Sequence, residues 1–111
     1  EIAEVIYPGL TNHPQHDLAS KQMNGFGGII SMNIKGGLEK SKSFLERTKI
    51  FALAESLGGV ESLIEHPALM THASLPKDRR EMIGISDGLV RLSVGLESLD
   101  DLVEDIEQAL K

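Results

Sequence analysis

Between residues 89 and 97 the chain reads LVRLSVGLE, with an apolar side chain at every second position. Val90, Leu92, Val94 and Leu96 share one side, and Leu89, Arg91, Ser93 and Gly95 share the other. A period of two predicts a β-strand with one apolar face and one face that carries an Arg and a Ser, so Arg91 points away from the core. The period then changes. Leu99, Leu102, Val103, Ile106, Ala109 and Leu110 recur at helical spacing, which predicts a terminal amphipathic helix. Ser98, with Asp101 three residues on, has the form of a capping box, and acids crowd the end of the helix where the macrodipole is positive.

Upstream the pattern alternates between the two periods. Residues 4–7 are extended and stop at Pro8-Gly9, a turn signal. The stretch PQHDLASKQMNG (14–25) predicts a helix capped by Asn12 or His13, with Pro14 in its first turn and Asn24-Gly25 ending it. Ile30, Met32 and Ile34 then fall on one side of a strand bounded by glycine pairs. LEKSKSFLERTK is helical by composition, with Leu38, Ser41 and Leu45 on one side and Phe44 beside them. The apolar IFALA predicts a short strand that delivers the chain into Glu55 and Ser56. Mixed strands and helices, with one wet face per strand, favour an α+β fold in which helices pack on one face of a mainly antiparallel sheet.

Size and composition narrow the function. A chain of 111 residues is one small domain. With 41% hydrophobic and 25% charged residues it has the balance of a folded globular protein rather than a disordered tail. Aromatics make up only 4%, so Leu, Ile and Val must fill the interior. The net charge of -6, without a dense block of Lys and Arg, argues against nucleic acid and against an anionic membrane surface as partners. With no cysteine there is neither a disulfide framework nor a thiolate zinc site. A reducing cytoplasm is the expected compartment. The opening EIAEVIYPGL lacks an initiator Met and starts inside a β-prone run, and no Gly follows the last helical turn, so a piece of a longer chain is expected.

Few residues carry chemistry. His13 and His16 have a spacing that can hold a metal, but no third ligand sits nearby in sequence, so no metal site is expected and surface histidines are the reading. His66 and His72 read as loop or packing histidines. GFGGII lacks the following Lys-Ser or Lys-Thr of a phosphate cradle and reads as a turn entering a strand. Glu55-Ser56 and Arg91 differ, because they could work together. A guanidinium grips a carboxylate through two parallel hydrogen bonds, and a neighbouring hydroxyl can take a further lone pair. By pattern alone, Arg91 also fits an ordinary exposed or salt-bridged Arg, and Glu55 a solvated loop acid. A carboxylate beside an apolar run is costly to bury unless it meets a partner charge.

At these residues the sequence resembles a known family. FALAESLGGVESLIEHPALMTHAS and GISDGLVRLSVGLESLDDLVEDIEQALK closely resemble the carboxy-terminal part of the cystathionine gamma-lyase and gamma-synthase group of pyridoxal-phosphate enzymes of cysteine and methionine metabolism. The resemblance continues through VIYPGLTNHPQHDLASKQMNGFGGIISMNIKGG and covers essentially the whole chain. It implies that residues 1–111 are the small C-terminal domain of a fold-type I enzyme whose larger N-terminal domain carries the Schiff-base lysine and most contacts to pyridoxal 5'-phosphate. No catalytic residue is then expected here.

The resemblance also implies roles. Ser56 and Arg91 hold the α-carboxylate of a small amino-acid substrate, Glu55 lies toward the distal end where cystathionine carries a second ammonium, and Thr71 lies near the same pocket as a weaker member. The cofactor supplies the electron sink, and this domain supplies orientation. The implied reaction is the lyase's, in which cystathionine gives cysteine, 2-oxobutyrate and ammonia in transsulfuration. The synthase's γ-replacement on an activated homoserine is the alternative, and a non-catalytic interaction module the alternative of another class. The expected partners are the chain's own N-terminal domain and further copies in a homotetramer.

Overall fold

A computed structural model describes residues 1–111. Along the chain run β1 (Ile2–Ile6), α1 (His16–Gln22), β2 (Ile29–Ile34), α2 (Gly37–Arg47), β3 (Ala52–Leu53), β4 (Leu63–Glu65), α3 (Lys77–Met82), β5 (Leu89–Ser93) and α4 (Leu99–Leu110). The five strands form one sheet in the order β1-β2-β5-β4-β3. Only the β3–β4 pair is parallel, so the sheet is mainly antiparallel as expected.

The segment with the clearest alternation lies in the middle of the sheet. In β5, Val90 and Leu92 face the helices, opposite Met32 and Ile30 of β2, and Leu92 also meets Ile64 of β4. Met32, Ile34, Ile64, Val90 and Leu92 join Phe44 of α2, Phe51, and Leu102 and Ala109 of α4 in a single apolar core. Burying a side chain the size of Phe44, Ile64 or Leu92 contributes about 1.5–3 kcal/mol, which makes this layer the main source of stability. No helix is long and apolar enough to cross a membrane.

Several local expectations change. The first helix begins at His16 with Gln15 at its N-cap position and no side-chain cap, although the Gln15 N–H donates to His13 Nδ1 at 3.0 Å. Ser98 occupies the N-cap of α4 but makes no side-chain cap bond, so the capping box does not form. Leu99 and Val103 lie outside the buried stripe, at 73% and 45% exposure. β5 ends at Ser93 rather than continuing to Leu96, which is 81% exposed. The cause is a close crossing at Gly95, where a Cβ would collide with the Val60 carbonyl and lie 2.7 Å from Ser62 N. In IFALA Phe51 is buried in the core and Ile50 packs against it, but Leu53 is 60% exposed on the edge strand.

The largest difference concerns the face away from the helices. It was expected to be wet, yet Leu63, Glu65, Leu89 and Ser93 are all buried. Residues 54–61 cross over it: the Gly58 N–H donates to Ser93 Oγ at 2.7 Å and Arg91 Nη2 donates to the Glu55 carbonyl at 2.7 Å. Arg91 does leave the core side, but it enters a covered polar layer.

Candidate functional site

Arg91 sits at the centre of β5, cross-strand from Ser31 of β2 and from Glu65 of β4. Alternation fixes this placement, because Val90 and Leu92 on either side are claimed by the core. On β4, Ile64 is in the same core, so Glu65 is turned to the Arg91 side, where it is 1% exposed. Arg91 Nη2 lies 2.9 Å from Glu65 Oε2. The pair is close without being aligned. Neither Glu65 oxygen accepts a hydrogen bond, and the buried Arg91 Nε donates to none.

The segment over the site is held at both ends. Its far end is tied to the exit of β5 through Ser62, which is fully buried. The Gly95 N–H donates to Ser62 Oγ at 2.8 Å, and the Ser62 N–H and hydroxyl donate to Glu97 at 2.9 and 2.7 Å. The Ser62 backbone N–H, followed by its hydroxyl, holds the Glu97 carboxyl below its ordinary value. Between these ties Gly58 has φ +76°, a conformation that favours glycine.

The far end of β4 is fixed by His66, 1% exposed. Its Nδ1 accepts from the Leu69 N–H at 3.3 Å and its Nε2–H donates to the Asp87 carbonyl at 2.7 Å, an arrangement that requires the neutral ring. This is the packing histidine expected from sequence. Asp87 is in turn paired with Lys77 at 3.1 Å and Arg80 at 3.2 Å. The hydrogen bond from Lys77 is the main cause that lowers its carboxyl, against the opposing effect of burial.

Of the four substrate-binding residues expected, the structure links two directly, Arg91 and the Glu55 backbone, with Ser56 next along the chain. Glu55 and Ser56 are exposed at the start of the covering segment, with the Glu55 carbonyl on Arg91. Thr71 is also exposed, but its hydroxyl meets His72 Nδ1 at 2.9 Å and makes no hydrogen bond to the other three. Glu65 was missed. The available signal was an acid inside the short apolar run SLIEH, which is costly to bury in a sheet unless it meets a cation. His16 is occupied by structure, with Nδ1 2.7 Å from the Pro8 carbonyl and its ring stacked on Phe26. A cavity of about 400 Å³ lies elsewhere, lined by Lys35, Lys40, Arg47 and Phe44 among others, and none of the four expected residues borders it.

Arg91 thus presents its guanidinium beneath the segment that carries Glu55 and Ser56. Comparison with known proteins identifies the class. The family model described as Cys/Met metabolism PLP-dependent enzyme matches residues 1–111, and the chain belongs to that family. It is 58% identical over 110 residues to a cystathionine gamma-lyase of Dictyostelium discoideum, covering 99% of this chain and 28% of that protein. It is also 58% identical over 110 residues to a cystathionine beta-lyase of Coxiella burnetii, with the same coverage. A crystal structure of cystathionine gamma synthase from Xanthomonas oryzae pv. oryzae in complex with cystathionine superposes with a TM-score of 0.91 at 50% identity, covering 98% of this chain and 28% of that one. The chain thus spans little more than a quarter of the proteins it matches.

Family membership implies pyridoxal phosphate in the full-length enzyme. The residues present do not fit the cofactor itself. Every lysine occupies an exposed position, and none pairs with or hydrogen-bonds to Glu55, Ser56, Glu65 or Arg91.

Proposed function

We propose that this chain is the substrate-orienting C-terminal part of a pyridoxal-phosphate-dependent cystathionine gamma-lyase, which with one water converts cystathionine to cysteine, 2-oxobutyrate and ammonia. The observation that carries the proposal is the state of Arg91. Its side chain is 21% exposed, and Nη1 is neither hydrogen-bonded nor among the enclosed unpaired atoms. The outward end of the fork is free to receive the substrate α-carboxylate, and in this reading the Ser56 hydroxyl, on the same segment as Glu55, donates to it as well. The Glu55 carbonyl gives up its Nη2 hydrogen bond as the carboxylate arrives. Holding the carboxylate sets which bond at Cα is aligned for cleavage. The exposed Glu55 side chain then faces the distal end of the substrate and pairs with its ammonium. The chain on its own is inactive in this reading, and the exposed Leu53, Leu57, Val60, Leu96 and Leu99 support packing against the rest of the enzyme, a cytoplasmic homotetramer.

A second reading, γ-replacement by a cystathionine gamma-synthase, is supported by the solved synthase that superposes with a TM-score of 0.92 at 50% identity. Incubating the full-length protein with cystathionine, and separately with an activated homoserine and cysteine, separates the readings. Equal release of cysteine, 2-oxobutyrate and ammonia is expected. Homocysteine with pyruvate would indicate cleavage on the other side of sulfur, and net formation of cystathionine would indicate the synthase; either result sinks the gamma-lyase proposal.

A further inference from the structure

The pairing of Arg91 with Glu65 has a directional character. On a guanidinium, Nε and Nη2 lie along one edge and the two Nη atoms form the end. In Arg91 the edge faces inward: Nε is buried, and Nη2 stands 2.9 Å from Glu65 Oε2. The end faces outward, with Nη2 also on the Glu55 carbonyl and Nη1 open. Glu65 is thus the only side chain that opposes the inward edge with a charge. It is held firmly there, by the core on the Ile64 side and by the two hydrogen bonds of the His66 ring on the other.

A carboxylate buried to 1% with no hydrogen bond to either oxygen is a poor stabilising device. Buried ion pairs rarely improve on a packed apolar pair, whereas losing one partner is costly. The chain also contains a carboxylate that serves structure, Asp105, and that group accepts hydrogen bonds from three backbone N–H groups. Glu65 has none of these. What it does provide is a fixed counter-charge on one edge of a long, otherwise mobile side chain.

We propose that Glu65 is the positioning residue for the substrate carboxylate: it holds the Nε–Nη2 edge of Arg91 inward so that the Nη1–Nη2 end is presented to the ligand. This rests on the reading that Arg91 grips the carboxylate. Without Glu65 the guanidinium can swing among rotamers, and the entropy of ordering it falls on ligand binding. Glutamine keeps an acceptor oxygen at the same reach but loses the charge, so it should rescue part of the effect.

The test uses the full-length enzyme with glycine and glycinamide as probes, two amines that differ by the carboxylate charge, and isothermal titration calorimetry as the readout. Glu65→Ala should weaken glycine binding by about tenfold or more, Glu65→Gln by about threefold, and glycinamide should bind all forms equally. Arg91→Ala should abolish the preference for glycine, and Glu65→Ala on top of it should change nothing further. If Glu65→Ala does not fold, Glu65→Gln decides alone, and wild-type glycine affinity in that variant overturns the proposal. Glycine binding that is unchanged or tighter in Glu65→Ala, with Arg91→Ala still damaging, overturns the role of Glu65 and leaves the Arg91 site standing. Unchanged glycine binding in Arg91→Ala overturns the site itself. A purely structural role predicts a lower melting temperature with equal effects on both probes, which also overturns it.

Discussion

Asp105 and Glu65 are both carboxylates withdrawn from solvent, at 3% and 1% exposure, and they are treated in opposite ways. Asp105 reaches from α4 into the turn before β3, where it accepts the N–H groups of Lys49, Ile50 and Phe51 at 2.7, 2.8 and 3.1 Å and an amide hydrogen of Gln108 at 3.0 Å. Burial pushes its pKa up, but those donors outweigh it and the carboxyl is lowered. Glu65 faces one guanidinium and accepts no hydrogen bond. A buried acid whose lone pairs are all taken joins parts of the fold. One whose lone pairs are left open calls for another explanation, and the proposal above supplies it with a ligand at the open end of the neighbouring cation.

The contrast predicts that the two regions fail differently when cut. The largest effect belongs to Arg91→Lys in the full-length enzyme, which keeps the charge opposite Glu65 but loses the planar fork. kcat/KM for cystathionine should fall by about 2–4 kcal/mol in transition-state terms, with little change in melting temperature. Arg91→Ala should cost stability as well, because it strands a buried acid, so it is the Lys variant that separates the roles. Near-normal turnover in the Lys variant would make Arg91 a structural ion-pair residue.

Next comes Asp105→Ala, which leaves three backbone donors without their acceptor. Denaturation of the full-length enzyme should show a loss of about 2–3 kcal/mol, with KM and kcat of the surviving protein unchanged. A kinetic defect without a stability defect would erase the distinction drawn above.

A third carboxylate, the exposed Glu55, should matter only to substrate choice. Glu55→Val should raise KM for cystathionine by a factor that corresponds to about 1 kcal/mol and improve substrates with an apolar distal end. Unchanged discrimination would return Glu55 to the role of a solvated loop acid. The smallest effect concerns pH. Because the folded-state carboxyl of Asp105 is lowered, its contribution is fully present above the ordinary carboxylate range and is lost as pH falls through the folded value. The acid limb of a stability–pH profile should therefore be shallower in Asp105→Asn than in the wild type; parallel limbs would remove Asp105 from the account.

The placement of the core was legible in the chain. Val90 and Leu92 alternate, Met32 and Ile34 alternate, and Phe44, Leu102 and Ala109 follow the helical period; all seven are buried in one cluster. These are local periodicities, so the sequence by itself determined which face of each long element is apolar, that Arg91 points away from that face, and, through the resemblance of its strings, the family. β4 was not legible, because three residues cannot display a period of two, and with β4 went Glu65 and the covering of the second face. Nor was the role of Asp105, whose partners at 49–51 lie far away in sequence. Those features depend on which strand lies beside which and on where a loop crosses. Side-chain order along one strand is set by backbone geometry within a few residues, whereas the opposition of Glu65 to Arg91, and the open end left on the guanidinium, exist only once two distant strands are hydrogen-bonded in register.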